Sequence, residues 1–395
     1  MLNEGEFRRI SEKYKTPVYV FDADEAIERV IAAKELLNSS HSEKKTGLCY
    51  SIKANPFLVP VLKDVADKFE VCSPGELSIC KYHKIEGDMI IYSGVHKEEE
   101  DIREAVEYGA GIITAESVRH YELLDKVLKG MKKKAKLILR LSAKSQFGMS
   151  LDDLKEVIRL NRDNENIEIA GIHYFTGTQR TKIRHQVEEL TMLKEVIGEL
   201  RKESDLKLPY LEYGPGLPYP YFENDDHSDT LAPLKELTPC LKEISEICEL
   251  TVEMGRFLAS SCGYYLTKVV DKKSSHGRNW CIVDGGIHHL NYLGQMMGMK
   301  IPVIKLYSQE DTDSREKSEW AICGSLCTTN DILVREYSMK EPLLNDLMVF
   351  CNTGAYSVTE AMGLFLSRTL PGIVIYKSGD TYLARDFMDT WKINI

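Results

Sequence analysis

Eight short apolar runs recur at regular intervals through the first two thirds of the chain, separated by stretches with helical periodicity. No other feature limits the fold as much. The runs are Leu48 to Lys53, Phe69 to Ser73, Met89 to Gly94, Gly111 to Ala115, Leu137 to Leu141, Ile169 to Phe175, Tyr210 to Gly214 and Leu250 to Met254. They are apolar nearly throughout rather than alternating, as strands covered on both faces are. In the gaps, Ile183, Val187, Leu190, Val196, Ile197 and Leu200 hold one face at steps of three and four, as do Leu234, Leu237, Leu241 and Ile244. Ser73-Pro74-Gly75-Glu76 has the form of a helix start, with Ser73 as cap, Pro74 in the first position and Glu76 closing a capping box, and Gly109 reads as a helix stop. Eight strand-and-helix units in roughly 210 residues are the count and size of an α/β fold of the (β/α)8 barrel kind. An open doubly wound sheet is the competing architecture, disfavoured because no run ends in GxGxxG.

After about Ala259 the texture changes. Tyr264 to Val270, Trp280 to Asp284, Ile301 to Leu306, Trp320 to Cys323, Leu347 to Cys351 and Ile373 to Tyr376 are strand-like with no long helices between them. The turn-rich Lys272 to Gly277 and the polar stretch Gln309 to Ser318 separate them. This half is expected to be an all-β domain. The run Thr16 to Phe21, expected to precede the first helix, can join its sheet. The domain division is therefore a barrel over 25–258 and a β domain over 259–395 plus the N-terminal strand in 1–24.

The 395 residues are 43% hydrophobic and 28% charged with a net charge of −10, which excludes disordered, collagenous and coiled-coil proteins. An acidic chain with no Lys/Arg block lacks the footprint for nucleic-acid binding or for coating an anionic membrane. No segment approaches the roughly 18 apolar residues of a membrane span, and the acidic start Met1 to Glu6 is unlike a signal peptide. A cytoplasmic location is expected. The ten cysteines sit mostly in apolar runs, as reduced core residues do, and the lone Cys323/Cys327 pair has no second pair to complete a zinc site.

Lys53, in Tyr50-Ser51-Ile52-Lys53-Ala54-Asn55-Pro56, falls at the carboxyl end of the first barrel strand, where barrel enzymes hold their chemistry. Among apolar neighbours its amine would be desolvated and available to attack an aldehyde; the commoner alternative is a lysine with its head in solvent. On the same rim lie Gly177-Thr178-Gln179, Gly214-Pro215-Gly216 and Glu253-Met254-Gly255-Arg256. Exposed N–H groups, a hydroxyl and a guanidinium suit a phosphate, although each glycine alone could serve a turn.

With these segments in place, the sequence resembles the fold-type III pyridoxal-phosphate decarboxylases, which include diaminopimelate and ornithine decarboxylases. The resemblance also covers Val71 to Leu77, Gly171 to Gln179, Val283 to Gly286, Cys323 to Asp331 and Asn352 to Tyr356. Thr176-Gly177-Thr178-Gln179 and Leu326-Cys327-Thr328 are similar to the butirosin-pathway branch, whose decarboxylase acts on a glutamyl group tethered to an acyl carrier protein. The resemblance implies an alanine racemase-like barrel with a C-terminal β domain, pyridoxal 5'-phosphate as cofactor, an amino-acid substrate, and a homodimer with shared sites. It implies Lys53 as Schiff-base lysine, Glu253 as the carboxylate on the pyridine nitrogen, and His173 as a site histidine. Arg256, Thr178, the Gly214 and Gly216 amides and Tyr356 become the phosphate site, Gly255 a further cofactor contact, and Cys327 the general acid supplied by the second subunit. Thr328, His289 and Tyr356 are the implied substrate contacts.

Several positions depart from the family pattern. Phe175 stands where a ring-stacking histidine is usual, so stacking survives without a proton. Pro215 removes one N–H from the glycine loop. Thr328 replaces the acid that reads a distal ammonium, and His288-His289-Leu290-Asn291-Tyr292 lacks the Arg-Pro of diaminopimelate enzymes. The two histidines, read as strand neighbours on opposite faces, are expected at the surface or in the substrate pocket rather than on a metal. The implied reaction is decarboxylation of an amino acid with a neutral or carrier-tethered tail; diaminopimelate decarboxylation is the alternative. A racemase would place an arginine where Glu253 stands, and an inactive binding homologue would have lost Lys53 or the cofactor contacts.

Overall fold

The computed structural model describes residues 2–39, 45–204, 207, 209–294, 298–308 and 315–395. The chain forms two compact units: residues 29–219 with 229–258, and residues 1–28 with 220–228 and 259–395. The second unit thus includes 220–228, a stretch expected within the barrel.

The first unit is built on strands β2 (Gly47–Ser51), β3 (Lys68–Val71), β4 (Ile90–Tyr92), β5 (Ile112–Ala115), β6 (Ala135–Arg140), β7 (Ile167–Phe175), β8 (Tyr210–Gly214) and β9 (Glu249–Met254), with β1 (Val18–Asp22) preceding them in the other unit. Each barrel strand runs parallel to the next and β9 closes on β2, so all eight apolar runs are strands of a closed (β/α)8 barrel. Cys49, Ile91, Ile112, Ile138, Ala170 and Tyr210 pack inside as a buried cluster. Ser73 caps the helix Pro74–Tyr82 by accepting the Glu76 N–H at 3.1 Å. The expected capping box is altered: the Glu76 carboxylate takes the N–H of Cys72 at 2.6 Å, the donor left exposed where β3 ends. Gly109, at φ +87°, ends the helix Glu99–Tyr108 as expected.

The second unit is a nine-stranded sheet. Its strands after the barrel are β10 (Gly263–Ser275), β11 (Arg278–Val283), β12 (Ile304–Tyr307), β13 (Lys317–Cys323), β14 (Ile332–Lys340), β15 (Leu347–Cys351), β16 (Gly372–Lys377) and β17 (Asp380–Arg385). The order is β14-β13-β11-β10-β1-β16-β17, with β15 pairing β10 and β12. The N-terminal strand joins the sheet, antiparallel to β10 and parallel to β16. It does not precede the first helix: α1 (Glu4–Lys13) comes before it, capped by Asn3 in a reciprocal capping box with Glu6. β10 runs on through Lys272 to Ser275, leaving only His276-Gly277 as the turn, and Gln309 to Ser314 lie outside the described residues. Among the described residues no helix is long and apolar enough to cross a membrane.

α1 fixes one face of this sheet. Phe7 is fully buried, packs edge-on against Tyr264 at 5.0 Å between centroids, and shares a cluster with Leu2, Ile10, Val18, Val20, Leu266, Val349 and Val374. Truncating such an anchor leaves a cavity. Phe7→Ala should therefore destabilise the β unit by about 3–5 kcal/mol. All three tryptophans, Trp280, Trp320 and Trp391, lie in this unit, so a urea titration followed by their fluorescence reads the loss directly.

Candidate active site

The site begins where β2 ends. A single 3-10 turn, Ile52–Ala54, carries Lys53, and the Tyr50 hydroxyl donates to the Asn55 carbonyl at 3.0 Å across it. Asn55 accepts the Phe57 N–H at 3.0 Å, and Pro56 opens the next turn. Gly255 lets the end of β9 approach this turn, since a methyl group there would come within 2.9 Å of Ala54 Cβ. The Lys53 amine is not among apolar side chains, as the sequence suggested. Its Nζ lies 2.5 Å from Glu70 Oε2 and 3.2 Å from Glu253 Oε1, because both strands flanking β2 present a carboxylate at its end.

Glu253, 5% exposed, is the hub. Oε1 accepts the Ser51 hydroxyl at 2.7 Å as well as Lys53, and Oε2 lies 3.2 Å from His173 Nε2. Burial alone would raise its pKa; Lys53 and His173 overcome that and hold it well below the usual carboxylate range. Glu70 goes the other way. Burial first, then the Glu253 charge, push it up to about 7 against the pull of Lys53. Burial also lowers the pKa of His173, with Glu253 pulling it back. Two neighbouring acids are thus driven apart, one anionic and one able to exchange a proton near neutrality.

Small residues line the adjoining strand ends. A methyl on Gly214 would come within 2.6 Å of Phe175 Cδ2 and 3.3 Å of Glu253 Oε2; one on Gly216, at φ +60°, would strike the Gly177 carbonyl at 1.8 Å. Pro215 is held by Gln186, whose Nε2 donates to its carbonyl at 3.2 Å. Arg256 Nε donates to Thr178 Oγ1 at 3.1 Å. Lys53, His173, Phe175, Thr178, Gly214, Gly216, Glu253, Gly255 and Arg256 therefore all stand in the barrel unit at the carboxyl ends of its strands. An amine, a buried anion and a cradle with no room for a Cβ fit pyridoxal phosphate.

The other expected residues belong to the β unit. Cys327 is exposed on the loop after β13. That loop is organised by Asp331, buried at 3%, whose carboxylate accepts the N–H groups of Ile287 at 2.9 Å and Leu326 at 2.7 Å. Thr328 Oγ1 accepts the Asn330 N–H at 3.3 Å. Tyr356 sits at φ +64° after β15, its carbonyl taking the Thr359 N–H at 3.0 Å. The surface reading of His288 and His289 fails. They lie in a turn rather than a strand, are 2% and 3% exposed, and their rings tilt against each other at 3.7 Å. His289 spends both ring nitrogens inside the unit, on the Tyr265 hydroxyl at 3.1 Å and the Thr369 carbonyl at 2.9 Å. Tyr292 is likewise internal, donating to the Cys351 carbonyl at 2.6 Å.

Glu70, Ser51 and Asp331 escaped the sequence reading. The usable signal was polarity out of place: Glu70 interrupts an apolar barrel strand, and Asp331 follows a run of small polar residues.

Comparison with known proteins bears on this geometry. Residues 24–260 match the family described as "Pyridoxal-dependent decarboxylase, pyridoxal binding domain". The chain is 25% identical to the L-glutamyl-[BtrI acyl-carrier protein] decarboxylase of Niallia circulans, over 97% of this chain and 94% of that protein. It is 25% identical to the diaminopimelate decarboxylase of Campylobacter jejuni, over 89% and 88%. Among solved structures, the diaminopimelate decarboxylase of M. jannaschii in complex with L-lysine superposes with a TM-score of 0.85 at 22% identity, covering 96% of this chain and 91% of that one. The lysine/ornithine decarboxylase of Vibrio vulnificus gives 0.80 at 22% identity, over 95% and 98%. With its matched segment spanning the whole barrel, the chain belongs to the pyridoxal-dependent decarboxylases, enzymes whose cofactor is pyridoxal 5'-phosphate.

Proposed function

We propose that the chain decarboxylates an amino acid whose tail is neutral or tethered, such as a glutamyl group on an acyl carrier protein, with Lys53 as the point of cofactor attachment. The observation that carries the chemistry is Glu253, an anion buried against Lys53 and His173. When bound, pyridoxal phosphate supplies an aldehyde that condenses with amines and a ring that withdraws the electron pair left by a departing carboxylate. The chain's part is to hold and tune it. Glu253 accepts a ring N–H, and its depressed pKa keeps it an acceptor. Arg256, Thr178, Gly255 and the Gly214 and Gly216 amides bind the phosphate, joined by Tyr356; Phe175 offers its ring face. Glu70 Oε2, 2.5 Å from Lys53 Nζ, takes the ammonium proton so that the amine becomes nucleophilic.

Reduction of the yellow protein with borohydride should fix the cofactor on Lys53, read by peptide mapping. A Lys53→Ala variant that keeps the visible band would refute the assignment.

Cys327 is the proton donor to the reacting carbon, supplied to the site of a partner subunit in a homodimer, where Thr328 meets the substrate. Mixing the inactive Lys53→Ala and Cys327→Ala proteins should restore about a quarter of wild-type activity, since half the dimers are mixed and each has one complete site. No recovery after verified subunit exchange would dismiss sharing.

For the tail, the argument rests on the 324–331 loop. Its one carboxylate, Asp331, is buried and committed to backbone N–H groups, while Thr328 offers a hydroxyl. Burying an ammonium without an acid costs several kcal/mol, so an amide, thioester or hydroxyl tail fits better than the distal ammonium of diaminopimelate. His289, with both ring nitrogens engaged, is a scaffold rather than a contact. Carbon dioxide release from glutamyl thioesters and amides should exceed that from free diaminopimelate, lysine, ornithine and arginine. Turnover confined to diaminopimelate would make this a lysine-forming enzyme instead. We place the protein in the cytoplasm on the strength of its ten cysteine thiols.

A further inference from the structure

Across β6 to β9, Arg140, His173, Glu212 and Thr251 stand in one register row, and all four are buried. Arg140 pairs with Glu116 at 2.9 Å, the two side chains 10% and 4% exposed. Glu116 is itself tied down: Oε2 accepts the Gly148 N–H at 3.2 Å, and its backbone N–H donates to His120 Nδ1 at 3.2 Å. The Phe147 ring lies 5.0 Å from the guanidinium carbon. The guanidinium is therefore fixed on the strand next to His173.

His173 sits between opposing demands. Its Nε2 is 3.2 Å from Glu253 Oε2, and its Nδ1 is buried with no hydrogen-bond partner among the described residues. Glu253 on β9 favours an imidazolium. Burial opposes it, as do the charges of Arg140 on β6 and Lys53 after β2. Glu212, its register neighbour on β8, is pushed toward the neutral acid by burial and by the charges of Glu253 and Glu70. A protonated ring would leave an Nδ1–H donor buried without an acceptor; a neutral one leaves only a lone pair there.

We propose that the Glu116–Arg140 pair is a positioning device for the reaction, fixing His173 as the neutral imidazole that donates Nε2–H to Glu253. Glu253 then stays a pure acceptor, with its charge available to a ring N–H. Without the arginine, Glu253 draws a second proton onto His173, and the imidazolium competes with that N–H. The pair acts through His173. This inference rests on the cofactor role proposed for Glu253.

The test uses the full-length protein labelled with 15N-histidine, with the His173 resonance identified by its loss in His173→Gln. His173 should be the neutral Nε2–H form throughout neutral and mildly acidic pH. Arg140→Met should raise its protonation midpoint by about one to two pH units, and Arg140→Lys, which keeps the charge, should leave it neutral. An Nδ1–H or imidazolium form in the wild type overturns the inference, as does an unchanged titration in Arg140→Met. If Arg140→Met does not fold, the wild type and Arg140→Lys still decide, since an imidazolium in either is fatal. Adding pyridoxal phosphate separates the two readings: a neutral His173 with no visible band sinks only the cofactor role, and a band with a charged His173 sinks only this inference.

Discussion

A carboxylate that must remain charged inside a protein sets the terms for everything around it. Glu253 is buried at the end of β9, where the cost of ionisation is high. Its charge survives because Ser51, Lys53 and His173 converge on its two oxygens from β2, the turn after β2, and β7. Those partners can converge only in a closed barrel, which brings β2 beside β9 although 200 residues separate Lys53 from Glu253. The amino-acid chemistry depends on the closure, and the apolar interior below it supplies the low dielectric in which the arrangement matters.

The barrel was legible because its strands are covered on both faces, so burial writes the same apolar signature into each. The same logic explains what was not legible. β14 (Ile332–Lys340) and β17 (Asp380–Arg385) close the ends of the sheet order and carry Arg335, Glu336, Asp380 and Arg385, the polar content that edge strands use to avoid further pairing. α1 was hidden by its charge: five Glu and Arg residues surround Phe7 and Ile10, so only a narrow apolar stripe remains. In the site, the residues at strand ends could be read from position, but their partners could not. Nothing in the sequence around Lys53 places Glu70 within 2.5 Å of its amine, because that contact is made by strand register.

The β unit shows how a neutral reading of polar residues can go either way. His288 and His289 look like surface residues and are buried, and His289 engages both ring nitrogens with Tyr265 and Thr369. Asp331 looks like one more loop acid, yet it fixes the shape of the segment bearing Cys327. Gly324 exists for its sake, since a methyl there would lie 2.3 Å from its Oδ2. Preorganising a loop through a buried carboxylate is rigid, and it ties that loop's geometry to Asp331 staying ionised as well as bonded. Burial raises its pKa, so acid weakens the loop before it weakens the barrel anion.

The turn that carries Lys53 has one more consequence. Its backbone is braced by the Tyr50–Asn55 hydrogen bond and by the close approach of Gly255. Motion of the amine between Glu70 and Glu253 is therefore confined to side-chain torsions. A lysine mounted this way can shift between the two carboxylates without any rearrangement of the backbone that carries it.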